Sequence, residues 1–229
     1  MLFYCYDAYC GWCYGFSPVI RKIAENYRDR LDMEVLSGGM IGSQEAGPIG
    51  LTASYIQSAY KKVEQVTGIK FGPDYLWHIF NPDKSDWAPS SEKPAVALCI
   101  FKEFHPDLQV AFAADLQQAL YAEGRDLCDD EAYRLLLEKY QISTAVFYSR
   151  LHSKEYKDKA YAEFELVKKL QVNYFPALLL QATESRFYLV ARGYTDYNTV
   201  SANLDSILAQ VLSPAGQTDP GDGNPRQAV

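Results

Sequence analysis

The stretch "YDAYCGWCYGFSPVI", residues 6–20, sets Cys10 and Cys13 two residues apart, between an apolar run and a helical pattern. The preceding run, Leu2 to Tyr6, reads as a short buried strand that stops at Asp7. Beyond the cysteines, Phe16, Val19, Ile20, Ile23 and Tyr27 recur at helical spacing, which predicts a helix to about Asp29. Cys10 then stands at, or just before, the helix start. Pro18 suits a first turn and kinks the helix if the helix begins earlier. Two cysteines at this spacing admit three readings: a redox pair, half of a zinc site, or two buried thiols.

Working outward, "MEVLSGGM", residues 33–40, reads as a second strand running into a glycine turn at Gly38 and Gly39. A strand, a helix and a strand in about 40 residues indicate a βαβ unit with a parallel pair. From about Thr52 to Leu170 the apolar residues keep helical spacing, broken at Gly68, "FGPD", "NPDKSDWAPSS" and "HPD", and no strand is predicted there. The clearest helix covers about 153–170, with Tyr156, Ala160, Phe164 and Val167 on one face. "FPALLLQ" and "RFYLVARG" then read as a hairpin, and a last helix is expected over about 196–212. The order is β-α-β, a helical block, then β-β-α. It predicts an α/β domain from residues 1–45 plus 155–212, an inserted all-helical domain at 46–154, and a disordered tail at 213–229. That tail holds three prolines and three glycines and little apolar surface to offset the entropy of ordering.

Composition narrows the function classes. With 229 residues, 48% of them hydrophobic, the chain can bury a sizeable core. A net charge of −7 offers no basic excess for a nucleic-acid backbone or an anionic membrane, so neither is expected as a partner. Polar residues interrupt every apolar run before membrane-spanning length. The opening "MLFYCYDAYC" has no cationic stretch ahead of its apolar run, does not read as a signal peptide, and leads to an expected cytoplasmic location. Five cysteines are too few and too scattered for a disulfide-stapled scaffold.

The chemistry of the pair weighs on the three readings differently. Zinc needs four ligands, whereas Cys5, Cys99 and Cys128 are scattered and His78, His105 and His152 lie singly, so no metal is expected. A redox pair has a mechanism: free amides at a helix start stabilise a thiolate, and a second thiol one turn along can attack a mixed disulfide. Two inert core thiols remain the alternative.

The motif "YDAYCGWCYGFSP" resembles that of the DsbA-like branch of the thioredoxin superfamily, and within it the FrnE-like protein-disulfide isomerase group, through Asp7, Cys10, Trp12, Cys13, Tyr14, Gly15 and Phe16. "VNYFPALLL" resembles the superfamily's cis-proline loop, here Phe175 and Pro176, and "YAEGRDLCDDEAYRLL" resembles part of the group's helical insertion. The resemblance covers about residues 1–212 and implies a thioredoxin fold with a large inserted helical domain. It implies Cys10 as nucleophile, Cys13 as resolving thiol, and Trp12, Phe175 and Pro176 as the substrate-facing residues. The buried acidic residue of thioredoxin and DsbA on the first strand is here Tyr4, which leaves Asp7 for proton transfer from Cys13 or as a loop cap. A tryptophan between the cysteines, where DsbA has histidine, favours an isomerase or reductase over a strong oxidase. The expected substrates are protein or small-molecule disulfides and thiols, with no resident cofactor and with glutathione as cosubstrate or reductant. Two rivals stand beside this reading. One is a glutathione-dependent isomerase or transferase, whose relatives carry serine at the first cysteine position; the other is a non-enzymatic binding protein. The oligomeric state is left open.

Overall fold

Alternation along the first strand sorts the core into two faces. In the computed structural model, which describes residues 1–42 and 46–212, β1 (Leu2–Tyr6) is buried along its whole length. Leu2, Tyr4 and Tyr6 turn to one side, where they join Cys13, Phe16, Ile20 and Ile23 of α1 (Gly11–Asn26). Phe3 and Cys5 turn to the other, as period-two geometry requires. The helix starts before Pro18, so the proline sits inside it and its missing amide cannot bond the Tyr14 carbonyl. The Ser17 hydroxyl donates to that carbonyl at 2.8 Å instead. Three residues short of the expected end, α1 stops at Asn26.

The second strand, β2 (Met33–Ser37), pairs parallel with β1, from Leu2 opposite Met33 to Tyr6 opposite Ser37. It ends at the expected glycine turn, where Gly38 lies under the Phe175 ring and Gly39 takes a φ of +66°. Helices α2 (Gly50–Thr67), α3 (Pro73–Phe80), α4 (Glu92–Phe104), α5 (Gln109–Tyr121), α6 (Arg134–Lys139) and α7 (Thr144–Leu151) follow. Among the described residues, no strand interrupts them. Gly68, left-handed at φ 80°, ends α2, and Pro73 opens α3, so the expected breaks are real helix ends. Next comes α8 (Lys154–Lys169), whose N-terminus is capped by Ser153 and whose buried residues are Tyr156, Ala160, Phe164 and Val167.

The chain then returns to the sheet. β3 (Ala177–Gln181) runs antiparallel to β1, with Ala177 opposite Cys5, and β4 (Phe187–Arg192) pairs antiparallel with β3. The strand order is β2-β1-β3-β4, and α9 (Tyr197–Leu212) completes the described chain. One continuous set of buried side chains runs from Leu2, Tyr4 and Cys13 through Val96, Phe101 and Phe112 to Leu137 and Phe147. The helical block therefore shares the apolar core of the sheet. The tail expected at 213–229 lies outside the described residues.

Candidate active site

The site grows from the end of β1. After Tyr6 the chain turns through Asp7 to Tyr9, with the Cys10 amide donating to the Asp7 carbonyl at 3.1 Å. Cys10 has extended backbone and caps α1: its Sγ accepts the Cys13 amide N–H at 3.1 Å. The sulfur thus satisfies one of the free donors of the helix start. Cys10 is 6% exposed and Cys13 fully buried. Burial, then the adjoining Cys10 thiol, push the Cys13 thiol well above the ordinary range, and an amide hydrogen bond from Asp7 only partly offsets them.

Asp7 is a buried clasp. Its Oδ1 accepts from the Tyr9 amide at 2.9 Å and the Ser91 hydroxyl at 2.9 Å, and its Oδ2 accepts from the Met40 amide at 2.8 Å. It ties the cysteine turn to the exit of β2 and to the start of α4. Burial raises the Asp7 carboxyl above the ordinary range against the pull of these hydrogen bonds. The position that the sequence reading gave to a loop cap is occupied as one, and the same carboxyl also acts on Cys13.

Gln117 was not visible from the sequence as a site residue. It is buried on α5, and its Nε2 donates to the Asp7 carbonyl at 3.1 Å and the Cys10 carbonyl at 3.4 Å. Two carbonyls of the turn, each already bonded locally, gain a second donor from 107 or more residues away in sequence. The available signal was a glutamine on a helix buried nearly all round, "AFAADLQQALY".

The Phe175–Pro176 bond is cis. Because Ala177 lies opposite Cys5, the register sets Pro176 level with Tyr6, at the sheet end where the cysteine turn begins. The Pro176 carbonyl accepts the Gly193 amide at 2.7 Å, and the next residue, Tyr194, holds its ring 6.4 Å from that of Trp12. Trp12 and Phe175 are half-buried and Pro176 is buried. Phe175 does not stand free: its ring covers Gly38, where an added Cβ would come within 2.1 Å.

The other cysteines are set apart from this turn. Cys5 is buried on the far face of β1, and burial pushes its thiol up to about 12. Cys99, on α4, faces Glu163 of α8 at 3.4 Å. Cys128 is in the turn after α5 and faces the Tyr9 hydroxyl at 3.4 Å. An apolar cavity of about 240 Å³ lies alongside, lined by residues including Tyr9, Met40, Tyr55, Tyr75 and Trp87. Trp77 packs edge-on against His78. Among the described residues, no three His, Cys, Asp or Glu side chains are grouped to hold a metal ion, and no helix is long and apolar enough to cross a membrane.

A cysteine-capped helix after β1, a cis-proline level with it, and a helical block between β2 and β3 define the architecture. The sequence model of the DSBA-like thioredoxin domain matches residues 2–203. The chain belongs to that family. Its fold is the DsbA-like thioredoxin fold. A candidate protein disulfide isomerase from Nitrosomonas europaea superposes with a TM-score of 0.77 at 24% identity, over 91% of this chain and 97% of that one. The cytosolic disulfide reductase DsbM from Pseudomonas aeruginosa gives 0.71 at 25% identity, over 91% and 98%, and its structure with GSH gives 0.69. A 2-hydroxychromene-2-carboxylate isomerase shares the fold at 14% identity and a TM-score of 0.61, over 92% and 95%. No curated protein matches the chain by sequence.

Proposed function

We propose that this DsbA-like protein is a thiol–disulfide oxidoreductase that isomerises or reduces disulfides by cycling Cys10 and Cys13 between dithiol and disulfide. The observation that carries the reading is the cap geometry, with the Cys10 sulfur on the Cys13 amide at 3.1 Å and Cys13 buried directly behind it. The amide donor fixes the Cys10 sulfur at the helix start, and a second thiol one turn along is placed to displace a substrate. In this reading Cys10 is the nucleophile, Cys13 resolves the mixed disulfide, and Asp7 accepts the Cys13 proton. Trp12, Phe175 and Pro176 receive the substrate beside the cysteine turn. The side chains acting on Cys13, Cys10 and Asp7, are not cationic, which supports a weaker oxidant over a strong one. The family and the likeness to a cytosolic disulfide reductase, solved also with GSH, support a reducing role in the cytoplasm with glutathione as reductant or cosubstrate. No resident cofactor enters the cycle.

The test is a glutathione redox titration of the Cys10–Cys13 pair, with Cys13→Ala treated with glutathione disulfide. A reversible two-electron transition and a stable adduct at Cys10 are expected. Failure to form the disulfide at any glutathione ratio would remove the oxidoreductase reading and leave the binding-protein alternative.

A further inference from the structure

Among the described residues, two buried side-chain polar atoms lack a hydrogen-bond partner, the hydroxyls of Tyr4 and Ser37. An unmatched buried hydroxyl lowers stability, so its presence calls for a physical reason. The surroundings of Tyr4 supply one. Tyr4 is 2% exposed, on the face of β1 that packs against α1. Its ring lies 6.0 Å from that of Phe16, which follows Cys13 by one turn on the same side of the helix. The charges that act on its hydroxyl are, in order, those of Cys13, Cys10, Tyr6 and Cys5. An O–H donor without an acceptor is therefore buried in the layer between β1 and α1 that also holds Cys13.

Cys13 needs such a donor. To resolve a mixed disulfide it must become a thiolate while fully buried. The titratable groups that face it are Cys10, Asp7, Tyr4, Tyr6 and Tyr121, none of them cationic. In the reduced protein the Cys10 sulfur is engaged by the Cys13 amide, and the Tyr4 hydroxyl is idle.

Resting on the redox reading of Cys10 and Cys13, we infer that the Tyr4 hydroxyl is the donor that stabilises the Cys13 thiolate during resolution. The Cys10 thiolate attacks a disulfide RSSR′, forming a Cys10–SR bond and releasing R′S⁻, which is protonated from solvent. Cys13 then gives its proton to Asp7 and attacks the Cys10 sulfur. The Cys10–Cys13 bond forms, the Cys10–SR bond breaks, and the electron pair leaves on RS⁻, which takes up the proton that Cys13 lost. The protein loses two electrons and the substrate gains two. Tyr4 donates a hydrogen bond throughout this step and keeps its own proton, since burial holds its phenol far above neutrality.

Tyr4→Phe removes one oxygen and leaves the ring packing in place. Reduced wild type and variant are mixed with glutathione disulfide and acid-quenched at intervals. The Cys10–glutathione adduct and the Cys10–Cys13 disulfide are then quantified by peptide mass. Adduct formation is expected to stay within about twofold, while its conversion slows about 10- to 100-fold, the effect of one hydrogen bond to a charged acceptor. The pH at which conversion is half-maximal moves up, and the urea midpoint of the variant equals or exceeds that of wild type. Conversion at the wild-type rate with the same pH profile, or equal slowing of both steps, would overturn the role of Tyr4. A wild type that forms the adduct and never the intramolecular disulfide would instead refute the redox reading itself.

Discussion

Asp7 shows how a single buried carboxyl both builds and tunes a site. Its oxygens gather the Tyr9 and Met40 amides and the buried Ser91 hydroxyl. Burial nonetheless raises its pKa above the ordinary carboxylate value. The folded protein thus keeps the Asp7 proton to higher pH than the unfolded chain does. The contribution of Asp7 to stability is full below the unfolded value of about 3.9 and is lost as pH rises through the folded value. Wild-type stability relative to Asp7→Asn, whose amide does not titrate, is therefore expected to fall from about pH 4 upward. Urea unfolding of both proteins across that range checks it, and a difference that stays flat or grows would contradict the raised carboxyl. Of this residue the sequence displayed only the position, three before Cys10. Its donors come from residues 9, 40 and 91, and nothing local connects them.

Among the elements, the exit of β2 and the entry of β3 are held together by one contact. The Phe175 ring rests on Gly38, with no room for a Cβ between them. Gly38 also donates its amide to the Tyr6 carbonyl at 2.7 Å, which keeps the glycine turn against the end of β1. Adding a methyl group at Gly38 must push the ring, and the cis-proline loop with it, away from this position. Gly38→Ala is expected to lower the rate of disulfide reduction about tenfold and to destabilise the fold by about 1 to 3 kcal/mol, in the range of overpacking. A reductase assay with an unfolding curve tests both; an unchanged rate would show that the loop acts independently of Phe175.

At the scale of the molecule, a half-buried ion cluster fastens the helical block to the sheet. Lys102 of α4 bonds Glu34 of β2 at 2.6 Å and Glu163 of α8 at 2.7 Å, and it also donates to the Val35 carbonyl. The Glu163 carboxylate in turn accepts the Ser37 amide at 2.9 Å. Burial alone would lower the Lys102 pKa, but the two carboxylates outweigh it and the pKa is raised. Lys102→Met leaves Glu163 charged in a site where its side chain is 14% exposed, at an expected loss of about 3 to 5 kcal/mol. Replacing Glu163 with Leu in the same chain should recover most of that. Urea unfolding measures both, and a single variant within about 0.5 kcal/mol of wild type would show that the cluster does not hold the two parts together.

The sequence by itself determined β1, the helix that starts at Cys10, the order of elements around the helical block, and the C-terminal hairpin and helix. Each follows from apolar periodicity, glycine and proline, which act over a few residues. The cis-proline loop was legible through the resemblance of "VNYFPALLL". Tertiary structure alone decided which buried and half-buried polar groups meet: Gln117 on the carbonyls of the cysteine turn, Ser91 on Asp7, Lys102 between two glutamates, and the Tyr4 hydroxyl with no partner. Periodicity tells which face of an element is buried. What that face meets depends on how distant elements pack, and the cost of an unpaired buried group is settled only there.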